Sequence, residues 1–159
     1  MTMKEILTNG LLEGYTKGNA SDVTRGNFKG KRSTVVTDEG TYHDEWFATI
    51  HSGGGQELVK TPEGSYTRLY GGGTPKPEEL TKLGITAKEV STYLKKMILE
   101  LGDKTRLTDN CTPEPDGKWQ YNYKIASKHE SADVVTATET ITYNGIEVHV
   151  HAFILCPIL

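Results

Sequence analysis

The chain has 159 residues, of which 35% are hydrophobic and 25% charged, and its formal net charge at pH 7 is -3. This length and composition fit one domain over residues 1–159 with a core of its own. The negative charge and the scattered Lys and Arg residues argue against nucleic acid as the main partner. No segment approaches the about 20 apolar residues of a membrane span, and residues 1–14 lack the apolar core of a signal peptide. We therefore expect a cytoplasmic protein without a membrane partner.

The first third of the chain is predicted to hold one short helix followed by β-structure. Residues 3–13 carry apolar side chains at near-helical spacing, with Gly14 as the expected C-cap. Residues 15–32 are polar and rich in glycine, which is typical of a surface loop. From Ser33 to Tyr70, short β-type runs alternate with turn residues, and this pattern favours an antiparallel meander.

Two helices are predicted in a linker over residues 75–102. The first, "KPEELTKL", ends at Gly84, and the second begins with the capping box formed by Thr86 and Glu89 and ends at Gly102. Apolar residues of the second helix recur with the spacing of a helix that lies on a sheet, namely Val90, Tyr93, Leu94, Met97, Ile98 and Leu101.

The β-type pattern returns in residues 118–126, 133–143 and 146–155, with a tight turn predicted at 144–145. The β-rich halves, about 33–73 and 116–155, are similar: "EGTYHDEWF" matches "DGKWQYNYK", and Glu57 and Glu139 each precede a hairpin turn. We expect an α+β fold in which two antiparallel β-meander units, related by internal duplication, form a bent sheet packed against the amphipathic helix and the short N-terminal helix. Chance similarity between aromatic-rich strands is the alternative explanation of the repeat.

Several short motifs resemble an uncharacterised bacterial and phage domain family. They are "GYTKG", Gly40-x-Tyr42-x-Asp44-x-Trp46-Phe47, Gly55-Gln56-Glu57-x-Val59, "LYGG", Asp116-Gly117-x-Trp119-x-Tyr121 and Glu139-x-Ile141-x-Tyr143-Asn144-Gly145. That family occurs alone and also C-terminal to a helix-turn-helix in XRE-type transcriptional regulators, so the resemblance implies a non-catalytic effector or sensor role. Its members usually have tryptophan and asparagine where this chain has Ser65 and Arg68, so the resemblance does not carry over a ligand identity.

Two glycine runs are candidate ligand contacts. Gly71–Gly73 stand between a β-type run and a helix start, where backbone N–H groups could point at a phosphate, with Arg68 as a bidentate neighbour. The run lacks the Lys-Ser/Thr of a P-loop, and a flexible corner between sheet and helix is the alternative. Gly53–Gly55 are expected to form a hairpin tip, or a flap that closes over the ligand from the same end of the sheet.

Aromatic and acidic residues suggest what such a pocket would bind. Tyr42, Asp44 and Trp46 share one face of a strand, so the rings could stack on a base while Asp44 binds a hydroxyl or amine. Trp119 and Tyr121 repeat the spacing, and an aromatic core is the alternative.

Histidines give a weaker hint of a metal. His149 and His151 form a His-x-His pair on one strand face, with His43 and His51 as distant candidates for a third ligand. No Cys or Asp lies at ligand spacing nearby, so we expect neither a metal nor another cofactor.

The sequence thus favours a non-catalytic protein that sequesters or senses a small, polar, anionic, nucleotide-like ligand, as a phage anti-defence sponge would. The alternatives are a hydrolase that cleaves a phosphoester or glycosidic bond with Asp44 and Glu57, and a protein-interaction module. The apolar tail "AFILCPIL" predicts a homo-oligomer. No catalytic residue is predicted, and the predicted ligand-binding residues are Tyr42, Asp44, Trp46, Gly54, Gly55, Glu57, Arg68, Tyr70, Gly71, Gly72, Gly73, Trp119 and Tyr121.

Overall fold

In a computed structural model, which describes residues 2–158, the chain forms an eight-stranded antiparallel sheet with helices before the first strand and after the fifth. The order across the sheet is β1-β2-β3-β4-β5-β8-β7-β6, which confirms the predicted α+β class. The strands are β1 (Ser21–Arg25), β2 (Phe28–Thr37), β3 (Gly40–Ala48), β4 (Ser52–Thr61), β5 (Gly64–Gly73), β6 (Trp119–His129), β7 (Val134–Tyr143) and β8 (Ile146–Ile158).

The helices begin at capping residues that the sequence makes recognisable. In α1 (Met3–Leu11) the Thr2 side chain accepts a hydrogen bond from the Glu5 backbone N–H, and in α3 (Ala87–Leu101) Thr86 and Glu89 form the predicted capping box. The short α2 (Pro77–Lys82) precedes α3. Gly14 does not cap α1, because the chain continues from Leu12 to Thr16 as a π-helical turn.

The region predicted as a polar surface loop is a hairpin instead. Residues 21–25 pair with residues 28–32, so β1 and the first half of β2 form a hairpin at an edge of the sheet. Within β1 only Val23 is buried, and in the part of β2 that pairs with it, residues 28–32, no residue is buried. The hairpin escaped prediction because strands exposed on both faces show no alternation of apolar and polar residues.

Both glycine runs lie inside strands, which corrects the predicted hairpin tip and corner. Gly53 pairs with Gly72 and Gly54 with Gly71, and β5 has β8 on its other side. The backbone N–H groups of Gly71–Gly73 therefore belong to the sheet rather than to an anion cradle. Gly72 has φ of 153°, and a Cβ there would lie 2.0 Å from the carbonyl oxygen of Val150, so only glycine fits.

The core lies on one face of the sheet, called here the inner face. Apolar residues of α3, among them Val90 and Leu94, form one buried cluster with residues of β6, β7 and β8 such as Tyr121, Ile141 and Phe153. A second cluster holds residues of α1 and of both halves of the sheet: Ile6, Leu7, Tyr42, Val59, Leu107, Val135 and Leu155. Residues of α1 and α3 thus share these buried clusters with residues of the strands.

Two smaller findings concern membranes and thiols. No helix within residues 2–158 is long and apolar enough to cross a membrane, and α3, with 15 residues, falls short of the about 20 required. Cys111 and Cys156 are both free.

Candidate functional site

A cavity of about 340 Å³ lies on the inner face, between β3–β5, the middle of β8, and the helices α1 and α3. This volume is at the lower end of the range of small-molecule sites. Half-buried aromatic rings and buried charged groups share its wall. A concave site that combines apolar rings with a few polar groups is the usual form of a ligand pocket.

Glycines make room for this cavity. Cross-strand pairing places Gly55 between Trp46 and Tyr70 on the inner face. On the same face, Gly72 lies between Gly53 and His151. A Cβ on Gly55 would lie 2.6 Å from the Tyr70 hydroxyl and 2.7 Å from the Trp46 Cβ. The missing side chains therefore let the large rings approach one another and leave the floor of the cavity open.

The predicted site residues divide into two groups. Seven of them line the cavity: Asp44, Trp46, Gly54, Glu57, Tyr70, Gly72 and Gly73. The other six lie outside its wall: Tyr42, Gly55, Arg68, Gly71, Trp119 and Tyr121. The wall also contains residues that the sequence did not single out as ligand contacts, chiefly Tyr15, His51, Lys95, Arg106, His149 and His151.

Arg68 is buried in the protein and does not face the cavity. Its side chain is 2% exposed, and the guanidinium binds both carboxylate oxygens of Glu57, with 2.7 Å between Nη2 and Oε1. A further N–H donates to the backbone carbonyl of Arg106. The positive charge and the N–H donors of Arg68, which the sequence predicted to hold an anionic ligand, therefore bind groups within the core.

Trp119 and Tyr121 belong to the core, in agreement with the alternative weighed for them. The Trp119 ring stacks on Tyr93 of α3, with 5.0 Å between centroids, and also contacts Tyr143. The hydroxyl of the fully buried Tyr121 donates to Glu139 Oε1 at 2.7 Å and bonds to Thr105. Both rings therefore contribute to the stability of the core and do not offer a surface to a ligand.

Two tyrosine–glutamate–arginine units are buried side by side. In the first, the Tyr42 hydroxyl donates to Glu57 Oε1 at 2.9 Å and Arg68 pairs with the same carboxylate. In the second, Tyr121 donates to Glu139, and Arg106 donates to both of its oxygens, from Nε at 2.7 Å and from Nη2 at 2.6 Å. Arg106 lies between α3 and β6 with φ of 59°, and nothing in its local sequence indicates this role.

Asp44 is the group in the cavity wall whose charge differs most from expectation. It is 3% exposed, it lies opposite Glu57 across β3 and β4, and it accepts a hydrogen bond from the Tyr70 hydroxyl at 3.1 Å. Burial, together with the nearby charge of Glu57, raises the pKa of Asp44 to about 8. Asp44 is therefore largely protonated at pH 7, and its hydroxyl can donate a hydrogen bond.

Glu139 has the opposite protonation state. Burial favours its neutral form, but the Arg106 charge and hydrogen bonds from His149, His151 and Arg106 hold the pKa of Glu139 well below its usual range. Burial lowers the pKa of His151, so this ring is neutral at pH 7 even though it lies beside the carboxylate. The cavity wall thus combines a neutral acid, Asp44, with a neutral imidazole, His151, and the carboxylate of Glu139 lies buried behind that imidazole.

The other predicted histidine partners lie elsewhere. His43 bonds to Thr34 across β2 and β3, whereas His51 follows β3, bonds to Thr74 and reaches the cavity wall. Neither joins His149 and His151.

At another part of the wall, the Lys95 ammonium of α3 lies 5.0 Å from the centroid of the Tyr15 ring, and no carboxylate within residues 2–158 forms an ion pair with it.

Comparison with known proteins adds no relative from which a role could be transferred. No protein-family model matches the chain, and neither a curated protein nor a solved structure shows significant similarity to it. The resemblance to the domain of XRE-type regulators therefore stays a prediction, and the function has to be argued from the site itself.

Proposed function

We propose that this protein binds, without converting it, one small polar ligand with a planar part and an anionic group, as in a nucleotide. The observation that carries the proposal is the composition of the cavity wall. Three half-buried rings, Tyr15, Trp46 and Tyr70, surround a space of about 340 Å³, while Lys95 offers a positive charge and Asp44 a buried hydrogen-bond donor. A flat, anionic ligand uses all three kinds of group.

Each part of the ligand has a partner of matching chemistry. A base stacks on Trp46 or Tyr70, since aromatic rings attract flat π-systems. The phosphate or other anion lies at Lys95, whose ammonium contacts the Tyr15 ring but has no ion-pair partner within the described residues. Protonated Asp44 donates to a carbonyl or ring nitrogen, an interaction that an ionised carboxylate cannot make.

This site suits either sensing or sequestration. The resemblance to domains of XRE-type regulators favours a ligand-responsive role, and a chain that holds a signalling nucleotide tightly would also lower its free concentration. Both activities depend on the same pocket and on release of the ligand unchanged. The proposal is therefore tested first as binding without turnover.

The runner-up is a hydrolase, and one observation favours it. Asp44 and Glu57 face each other across neighbouring strands, both reach the cavity, and Asp44 is protonated near neutral pH while Glu57 is paired with Arg68. Two carboxyl groups in different environments are a common device for acid–base hydrolysis. Incubation with the ligand, heat denaturation and chromatography distinguish the two functions, because binding returns the intact molecule and hydrolysis returns products.

The binding test has a matched control on the same helix. Wild type, Lys95→Ala and Lys96→Ala are titrated calorimetrically with AMP and with cyclic mononucleotides; Lys96 points to Asp116 on the surface. We expect Lys95→Ala to weaken binding by about 10- to 100-fold, as for loss of a charged hydrogen bond, and Lys96→Ala to bind like wild type. Equal binding by both variants, or no binding of any anionic nucleotide by wild type, would contradict the proposal.

We also propose that the two halves of the sheet are related by duplication. The support is the pair of matched units, since Tyr42 and Glu57 on β3 and β4 have counterparts in Tyr121 and Glu139 on β6 and β7. This equivalence is shifted by two residues from the sequence alignment, which matches Tyr42 to Trp119.

We also propose that the chain forms a homo-oligomer, because its last strand exposes apolar side chains on one face. The tail forms much of β8, in which Phe153 and Leu155 are buried while Ile154 and Ile158 are 45% and 48% exposed on the opposite face. Leu69 lies beside Ile154 on that face and is also exposed. Pairing of these faces between copies would bury them, and light scattering on wild type and Ile154→Lys would detect the change to monomer.

A further inference from the structure

The side chains of Glu139 and His149, which are buried, and of His151, which is half-buried, form a cluster that neither the predicted ligand nor the hydrolase alternative uses. The atoms that could bind a metal form a small triangle. His151 Nδ1 lies 3.1 Å from Glu139 Oε2 and 3.2 Å from His149 Nε2. The third side, from His149 Nε2 to Glu139 Oε2, is 3.8 Å long. Three potential donors to a metal ion thus converge on one point, and the two histidines among them line the cavity.

We propose that these three residues bind a divalent transition-metal ion of the zinc type. A tetrahedral zinc with bonds of about 2.0–2.1 Å keeps its ligand atoms about 3.4 Å apart, and the three sides of the triangle bracket that value. Two imidazoles and one carboxylate are also a ligand set that zinc and iron(II) favour. The sequence led us to expect no metal, because no Cys or Asp lies at ligand spacing near the two histidines. Glu139 lies ten residues from His149, and only the strand pairing brings it opposite His151.

The hydrogen bonds of Glu139 leave room for the metal on one side. A carboxylate has about four lone-pair directions. Arg106 Nε and the Tyr121 hydroxyl donate to Oε1 and occupy two of these directions. Arg106 Nη2 donates to Oε2 and occupies a third, and the remaining direction of Oε2 faces the histidines. Arg106 and Tyr121 therefore hold the carboxylate in a fixed orientation, as residues around a metal ligand commonly do.

A β-bulge positions the histidine pair. The pairing of β7 with β8 passes from Ile141 opposite His149 to Thr142 opposite Glu147, so Val148 is an extra residue in β8. As a result Val148 and His149 are both buried, whereas strict alternation would bury one of them. Bulges commonly redirect a side chain in this way. Because His149 and His151 also line the cavity, the fourth coordination position opens onto it and is free for water or another ligand.

Metal titration tests this inference without any nucleotide, so its outcome is separate from that of the proposed ligand. Untagged protein, stripped with EDTA, is titrated with Zn²⁺ by calorimetry, alongside His151→Ala and His51→Ala. His51 lines the same cavity but lies outside the triangle, so it is the matched control. We expect one Zn²⁺ per wild-type chain, no change in His51→Ala, and a loss of affinity of about 100-fold or more in His151→Ala, since even residues behind a ligand contribute 10- to 100-fold.

A second measurement does not depend on the variants folding. Co²⁺ added to stripped wild type should give the visible absorption bands of a four-coordinate site, and Zn²⁺ should raise the melting temperature relative to EDTA. The inference is overturned if wild type binds no Zn²⁺ under these conditions. It is equally overturned if His151→Ala, shown to be folded by circular dichroism, binds Zn²⁺ as tightly as His51→Ala.

Discussion

The two tyrosine–glutamate–arginine units have the same chemistry but obtain their arginines in different ways. In the first unit, Arg68 lies directly opposite Glu57 on the neighbouring strand. In the second, Arg106 reaches Glu139 from the segment between α3 and β6, and the strand position opposite Glu139 is free for His151. The carboxylate of the first unit is therefore bound by an arginine of the sheet itself, whereas the second presents one side of its carboxylate to His149 and His151. One architecture thus gives a structural cluster in one half and a candidate metal site in the other.

The residue across from each glutamate differs as well. Asp44 faces Glu57, and Tyr123 faces Glu139. Burial raises the pKa of both groups, of Asp44 to about 8 and of Tyr123 to about 12. Only the first half therefore has a group at this position that titrates in the physiological range.

The largest expected loss of stability comes from removing the arginine of the first unit. Arg68→Ala leaves the carboxylate of Glu57 buried and without its partner, which should lower the free energy of unfolding by about 3–5 kcal/mol. Urea denaturation followed by circular dichroism measures this loss. The double variant Glu57→Gln/Arg68→Met should recover most of it, because it removes both charges. A stable Arg68→Ala with weaker nucleotide binding would instead restore the ligand-binding role predicted from the sequence.

Removing the tyrosine hydroxyls compares the units directly. Tyr42→Phe and Tyr121→Phe each delete a hydrogen bond to a buried carboxylate and should cost about 1.5–3 kcal/mol of unfolding free energy. Tyr121→Phe should cost more, because its hydroxyl also bonds to Thr105.

Tyr93→Phe is the control for this pair. The Tyr93 hydroxyl is the buried side-chain polar atom that lacks a hydrogen-bond partner within residues 2–158. Its removal should leave stability unchanged or raise it slightly. Equal losses in all three variants would mean that the hydroxyls contribute by packing rather than by bonding to the glutamates.

Counted per pH unit, the smallest expected loss of stability is a dependence on pH that only the first half should produce. The pKa of Asp44 is about 8 in the folded state and about 4 in the unfolded state, so between these values the folded protein binds more protons. The free energy of unfolding contributed by Asp44 is therefore highest below pH 4 and falls as the pH rises towards 8, by at most about 1.4 kcal/mol per pH unit. Denaturation at several pH values should show that Asp44→Asn removes this slope, and an unchanged slope would assign it to another group.

The sequence predicted those parts of the fold that depend on local patterns. Helix α3 was recognisable from the capping box at Thr86 and from its apolar spacing, and the turn at 144–145 from its Asn-Gly pair. Asp44 and Trp46 were placed correctly on one face, because alternation along a strand needs no knowledge of its neighbours.

The remaining features depend on contacts between distant residues. The glycine runs look like loops in the sequence, and only their pairing with each other and with β8 makes them strands. Arg106 approaches Glu139 across 33 positions of the chain, and no local pattern encodes such a contact. The same holds for Glu139 beside His151, which depends on the register of β7 and β8.

The central claim, that the cavity on the inner face holds a small polar ligand unchanged, is tested most directly by native mass spectrometry of freshly purified wild type. The account predicts an excess mass that corresponds to one anionic small molecule per chain, and denaturation should release that molecule intact. A spectrum of the bare chain, both as purified and after incubation with the nucleotides tested above, would contradict the claim.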